Sequence, residues 1–209
     1  MKNVFKALSA AVLAVCLGLT ACAAPEGNGR QDVGRPQETV QTQKVIRIYT
    51  DPAYKGQANA ALKELADKIN GHVAAHPDTF SGSYFSSDST KLLVGVARPG
   101  DKAATALEKL VDQLDPRHQS VVMTAARWSW TELEAVKDRL VAEYLKTRKG
   151  GLQSIGLDTS RNAVVVHVLR KPDDPRLEEN PIVIEIANHY GDVVMFGEAP
   201  GPISTNTAK

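Results

Sequence analysis

Five histidines are the side chains of this sequence best suited to metal binding or acid–base chemistry: His72, His76, His118, His167 and His189. A metal site needs two or three ligands that converge, commonly at i and i+4 on one helix face or on adjacent strands. His72 and His76 have the i, i+4 spacing, but Gly71 and Pro77 indicate that the helix ends there. We interpret both as solvent-facing residues at a helix end, and we expect no metal site.

Ser81-Gly82-Ser83 is the segment that comes nearest to a catalytic serine site. A nucleophilic serine needs a neighbouring base and a strained, exposed turn such as Gly-x-Ser-x-Gly, which this sequence lacks. We interpret these serines as strand-edge residues and expect no catalytic residue and no cofactor.

The acidic run over residues 173–179 contains oxygen ligands that a hard cation could use. It lacks the glycine and the spacing of a calcium-binding loop, and prolines lie within and beside it. We predict a solvated loop there.

Trp128 and Trp130, with Arg127 beside them, form a candidate binding surface. An exposed tryptophan next to an arginine is a common anchor in protein interfaces. The alternative is packing, because the residue before a helix cap often contacts the first turn as a hydrophobic staple. We favour packing for Trp128, against Leu133, and keep the three residues as a candidate surface.

The N-terminus has the features of an export signal: Lys2 and Lys6, an apolar run over residues 7–19, then small residues. The apolar run is shorter than the roughly 20 residues that a membrane-spanning helix needs, so we predict cleavage. The sequence Leu19-Thr20-Ala21-Cys22 resembles the lipobox of bacterial lipoproteins. This resemblance implies a signal peptide over residues 1–21 and fatty acyl chains such as palmitate on Cys22. The alternative is an ordinary signal peptide followed by an incidental cysteine.

Composition divides the rest of the chain into a tether, a folded region and a tail. Residues 22–43 and 201–209 are rich in polar residues, Gly and Pro, which is typical of flexible segments. Residues 44–200 are long enough for one α+β domain, or for two lobes over 44–117 and 118–200. Loss of Lys2 and Lys6 with the leader leaves 23 basic and 24 acidic residues, a balance that argues against nucleic acid as a partner.

Strand and helix patterns alternate through the folded region. We predict helices over residues 58–71, with Gly71 as the C-terminal cap, over 101–114, and from a capping box at Ser129 and Glu132 to Gly150. β-rich runs predict eight strands: residues 44–50, 80–85, 91–97, 118–126, 152–157, 163–169, 182–187 and 193–196.

The two halves repeat the order strand, helix, strand, polar turn, strand. When they are aligned, residues 92–96 lie over residues 164–168, and an Asp-containing turn precedes each segment. We therefore predict duplicated βαββ units, with mixed or antiparallel sheets and helices packed on one face. The alternative is chance similarity between two hairpins.

Short segments from the middle of the chain are similar to the pro-regions of secreted trypsin-like serine proteases, the α-lytic protease and streptogrisin group. These segments are residues 80–85 with 91–94, 131–136, and 154–158 with 162–168. The family's pro-regions fold as α/β lobes that template and inhibit the protease. The 40 residues after Leu169 cannot hold a protease domain, so the resemblance implies the fold without the enzyme.

Together these features predict a lipid-anchored, extracytoplasmic cell-envelope protein that is not an enzyme and binds protein or peptide. A strand added to an exposed sheet edge is one mode of such binding. The alternatives are a cell-wall or peptide hydrolase with an unrecognised site, and a small-ligand carrier.

Overall fold

The computed structural model describes residues 45–50, 57–147, 149–171 and 173–199. The predicted signal peptide, Cys22, the tether and the tail over residues 201–209 lie outside the described residues. Among the helices of the described residues, none has the length and apolarity needed to cross a membrane.

Two sheets of three strands each organise the fold, and each sheet is mixed. In the first, β1 (Phe80–Phe85) pairs antiparallel with β2 (Leu92–Val96), which pairs parallel with β3 (Val121–Ala125). In the second, β4 (Leu152–Asp158), β5 (Ala163–Val168) and β6 (Val194–Glu198) follow the same order and directions. The predicted α+β class with mixed sheets is confirmed.

Two helices pack on one face of each sheet. Helices α1 (Ala60–Ala74) and α2 (Lys102–Leu114) share the first core with β1, β2 and the start of β3. Helices α3 (Trp130–Leu140) and α4 (Pro181–Tyr190) share the second core with β4, β5 and β6. A π-helical turn, Val141–Leu145, extends α3 and buries Tyr144. The repeating unit in space is therefore helix, strand, strand, helix, strand.

The strands before α1 and α3 do not join the sheet that follows them in sequence. β3 precedes α3 but pairs with β2 of the first sheet. The leading segment, residues 45–50, precedes α1 but bridges to β6 of the second sheet, where Ile48 lies opposite Phe196 in the parallel direction. The first sheet thus takes its last strand, β3, from the part of the chain that the βαββ pattern assigns to the second repeat. The second sheet is bordered at β6 by a segment that the pattern assigns to the first repeat.

The predicted strand over residues 182–187 is wrong, because these residues form the centre of α4. The Asn180 side chain caps the helix by accepting from the Ile182 N–H at 3.0 Å, and Pro181 occupies the first turn, where a missing N–H costs nothing. Ile182, Val183 and Ile186 then face the core. Packing of this face outweighs the strand preference of β-branched residues.

The predicted end of α1 at Gly71 is also wrong. The helix continues to Ala74, and the Ala75 N–H donates to the Gly71 carbonyl at 3.3 Å. Burial of Val73 in the first core explains the extra turn, since ending the helix at Gly71 would withdraw that side chain. The capping box at Ser129 and Glu132 is confirmed, with hydrogen bonds of 3.3 and 2.7 Å.

Candidate functional site

The predicted surface of Trp128, Trp130 and Arg127 is divided between two places. Trp128 is half-buried and packs against the second core, which contains Leu133. The Arg127 guanidinium lies 4.8 Å from the Trp128 ring centroid and forms an ion pair with Asp192. Trp130 instead lines a groove between α1, β1 and α3. The three residues therefore do not form one continuous binding surface.

Asn162, in the turn between β4 and β5, fixes the segment that leads into α3. Its side-chain oxygen accepts from the N–H groups of Arg127 and Trp128, each at 2.8 Å, and its amide donates to the Trp128 carbonyl at 2.7 Å. These bonds tie the end of the first repeat to the second. They also set the direction in which Trp130 enters the groove.

The groove has a volume of about 720 Å³. Helix α1 contributes Val73 and Ala74, β1 contributes Phe80, and α3 contributes Trp130 and Ala135. Its polar residues are Asn70, Ser83, Thr131, Glu134 and Asp138. The volume is in the range of small-molecule sites in proteins, which are also mainly apolar with a few polar groups.

Gly82 allows the two repeats to meet beside this groove. It has a φ angle of +113°, and a Cβ atom built on it would lie 2.7 Å from Thr159 Cγ2 and 3.6 Å from Trp130 Cε3. Both the backbone angle and the close approach of Thr159 favour glycine. A side chain at this position would push the turn after β4 away from β1.

The other residues considered for chemistry are placed apart. The His72 ring is half-buried and contacts the Ala103 carbonyl at 2.9 Å, so it is not solvent-facing as expected, whereas His76 is exposed. The Ser81 hydroxyl is buried, has no hydrogen-bond partner within the described part of the chain and lies against Gly95. In the acidic run, Asp174 accepts from the Lys171 N–H at 2.8 Å. Within the described ranges no three metal-ligating side chains come together.

The outer edge of β3 is the second feature that could bind a partner. The Leu92 N–H donates to the Ser120 carbonyl at 2.7 Å, and the Ala126 N–H donates to the Val96 carbonyl at 2.9 Å. In a parallel pair the bonded residues alternate, so Val122 and Thr124 face β2 while Met123 points its N–H and C=O outward. No backbone partner for Met123 occurs in the part of the chain that the structure describes.

In the second sheet the equivalent groups are paired. Met123 lies opposite Val94, and Phe196 lies opposite Val166, at the same place in the repeat. The Phe196 N–H donates to the Arg47 carbonyl at 2.9 Å, and the Tyr49 N–H donates to the Phe196 carbonyl at 2.6 Å. The leading segment therefore pairs in parallel with β6 through the N–H and C=O of Phe196, the groups for which Met123 has no partner in the described part of the chain.

The edges of β1 and β4 differ from the edge of β3. Each carries a register shift next to β2 or β5, between Phe80 and Gly82 in β1 and between Leu152 and Ser154 in β4. Bulges twist an edge away from further pairing, and natural sheets also protect edges with charges or proline. β3, with the sequence Val-Val-Met-Thr-Ala, has no bulge, charge, proline or glycine. It is therefore the edge best suited to accept another strand.

Asp115 positions the start of β3. Its carboxylate accepts from the N–H groups of Ser120 and Val121 at 2.7 and 2.9 Å, and the residue is 8% exposed. Burial alone would raise the pKa of the Asp115 carboxyl, but these backbone donors outweigh burial and hold the pKa below its ordinary value of 3.8. The ionised carboxylate thus holds the Val121 N–H in place before the open part of the edge.

The chain matches no known protein-family model. No curated protein is significantly similar to it in sequence either.

Sequence reasoning missed both features. The edge of β3 could have been found from the alignment of residues 92–96 with 164–168, which identifies the two central strands. The pairing of the leading segment with β6 gives no local signal, because it joins residues almost 150 positions apart. For the groove, the spacing of Trp130, Glu134 and Asp138 on one helix face was a usable signal.

Proposed function

We propose that this chain is an envelope lipoprotein that binds an extended peptide segment of a partner protein along the outer edge of β3. The observation that carries the proposal is that the Met123 backbone has no partner among the described residues, whereas its counterpart Phe196 pairs with residues 47–49. The peptide runs parallel to β3 and bonds to the N–H and C=O of Met123. Strand addition of this kind gains affinity from backbone bonds and selectivity from alternate side chains.

The leading segment indicates which peptides fit. Ile46 packs against the second core, and the Tyr49 ring lies on the opposite side of the strand, 5.7 Å from the His167 ring in an edge contact. Ile48 lies opposite Phe196, so at the β3 edge the place of Ile48 is next to Met123, which is half-buried on the first core. The preferred peptide therefore carries an aliphatic residue that covers Met123. On the other face, the place of His167 is taken by Gly95, and the Ser81 hydroxyl lies against this glycine.

The lipid anchor is part of the same proposal and rests on the lipobox sequence. Lipid on Cys22 would keep the binding edge near the membrane on its extracytoplasmic side, and two or more acyl chains hold a protein there firmly. Mass spectrometry of the native protein tests this part. An unmodified Cys22 would contradict the anchor and leave the binding edge to be judged separately. The resemblance to protease pro-regions supports a protein partner, since that family acts through a β-surface.

A proline at the edge tests the binding site in the full chain. Met123→Pro removes the outward N–H but none of the bonds to β2, and prolines are tolerated at outward positions of edge strands. The probe is a synthetic peptide with the sequence of residues 45–50, Val-Ile-Arg-Ile-Tyr-Thr. We expect the wild type and Met123→Leu to bind it, and Met123→Pro to bind at least about tenfold more weakly, because one hydrogen bond is lost and the ring blocks close approach.

Two results would overturn the proposal. One is equal binding of the peptide by the wild type and by Met123→Pro. The other is a stable dimer that Met123→Pro dissociates, which would assign the edge to a second copy of the chain. Should Met123→Pro fail to fold, Ala125→Pro removes the next outward N–H and gives the same comparison.

A further inference from the structure

The groove between α1, β1 and α3 is independent of the β3 edge and suggests a second ligand. It lies where the two repeats meet, since α1 and β1 come from the first and α3 from the second.

The apolar part of the groove is built around Trp130. The Trp130 ring packs beside Gly82, and the groove is completed by Val73, Pro77 and Phe80. A half-exposed indole offers both apolar area and a face that attracts cations. An aromatic or aliphatic body of a ligand would be removed from water here.

The charged part of the groove is acidic. Glu134 follows Trp130 by four residues and Asp138 follows by eight, so all three lie on one face of α3. Lys137 lies 3.2 Å from Glu134 and 3.6 Å from Asp138, so the three groups carry a net charge of −1. No basic side chain of the described residues lines the groove. A cation would therefore be favoured over an anion in this groove.

We propose that this groove binds a small hydrophobic organic cation. The apolar body of the ligand lies against Trp130 and Phe80, and its ammonium group lies between the Trp130 ring and the carboxylates of Glu134 and Asp138. Asn70 and Ser83, whose side chains hydrogen-bond to each other, offer further polar contacts at the opposite wall. Burial of the apolar part of the ligand contributes most of the affinity, and the carboxylates make the groove selective for a positively charged ligand.

Three probes with the same phenyl ring and four-carbon chain separate the effect of apolar burial from the effect of charge. They are 4-phenylbutylamine, 4-phenylbutanol and 4-phenylbutyrate. Binding is measured on the full chain carrying Trp128→Phe, so that Trp130 is the remaining tryptophan and reports directly from the groove. We expect the amine to bind about tenfold more tightly than the butyrate, with the alcohol between them, which corresponds to about 1.4 kcal/mol. Equal affinities, or tighter binding of the butyrate, would overturn the proposal.

Two variants locate the site. Glu134→Gln combined with Asp138→Asn should bring the amine down to the affinity of the alcohol without changing the binding of the alcohol. Ala135→Phe should fill the groove and abolish the binding of all three probes, without removing any side chain from a core. Binding that survives Ala135→Phe unchanged, or no measurable binding of the amine at millimolar concentration, would contradict the assignment.

Discussion

The two sheets have the same strand order, the same directions and a bulge at the same place, yet their outer edges differ. The edge of β6 is covered by the leading segment, which bonds to both backbone groups of Phe196. The edge of β3 has no such cover among the described residues, and Met123 stays half-buried where Phe196 is fully buried. Within the described ranges, a segment therefore pairs with the outer edge of the second sheet and none pairs with that of the first. The difference indicates that the chain can bind an added strand in this geometry, because it already does so once.

Removing the side chains at the two equivalent positions should have very different effects on stability. Phe196→Ala empties a fully buried site and should lower the free energy of unfolding by about 3–5 kcal/mol. Met123→Ala removes a half-buried side chain and should cost about 1 kcal/mol. Chemical denaturation of both variants measures the difference. Equal losses would mean that Met123 is covered as fully as Phe196, which contradicts an open edge.

Asp115→Ala should destabilise the first sheet by about 2–3 kcal/mol, because it leaves the half-buried N–H of Ser120 and the buried N–H of Val121 without this acceptor. Asp112→Ala is the matched control, since Asp112 is exposed and forms an exposed ion pair with His118, and it should change stability by less than about 0.5 kcal/mol.

The same carboxylate predicts a dependence on pH. Its pKa is lower in the folded chain than in the unfolded chain, so its contribution is complete above the ordinary value of 3.8 and is lost as the pH falls through the folded pKa. Wild-type stability should therefore fall below about pH 4 more steeply than that of Asp115→Asn. Parallel pH profiles of the two proteins would show that Asp115 is not ionised in this role.

Proline substitutions at the two outer edges should also differ in their cost in stability. Tyr49→Pro removes the N–H that donates to the Phe196 carbonyl and should cost about 1–2 kcal/mol of stability. Met123→Pro removes an N–H that has no partner in the described chain, so its cost should be smaller than that of Tyr49→Pro. Thermal unfolding compares the two variants. A larger loss for Met123→Pro would show that the β3 edge is already paired.

Both repeats begin with a capped helix, and the caps should contribute similarly. Asn59 accepts from the Leu62 N–H at 2.8 Å at the start of α1, and Ser129 forms the capping box at the start of α3. Asn59→Ala and Ser129→Ala should each lower stability by about 1 kcal/mol. A loss at one cap alone would indicate that the two helices are not equivalent in the fold.

The sequence predicted the features that depend on neighbouring residues. The capping box at Ser129, the strand over residues 80–85 and the correspondence of residues 92–96 with 164–168 follow from local pattern. Helix α4 could not be predicted in this way, because the β-branched run over residues 182–186 gave a stronger strand signal than the helix-start signal of Asn180 and Pro181. The groove and the open edge depend on packing between distant elements, such as β3 joining β2 rather than β4. Local secondary-structure propensity does not determine which strand β3 pairs with.

Hydrogen exchange at two amides tests the central claim most directly. In the free protein the Met123 N–H should exchange at least about tenfold faster than the Phe196 N–H, since among the described residues only the Phe196 N–H has a hydrogen-bond acceptor. On addition of the peptide Val-Ile-Arg-Ile-Tyr-Thr, the Met123 amide should become protected while the Phe196 amide stays unchanged. Equal protection of the two amides in the free protein, or no new protection of Met123 with bound peptide, would contradict strand addition at β3.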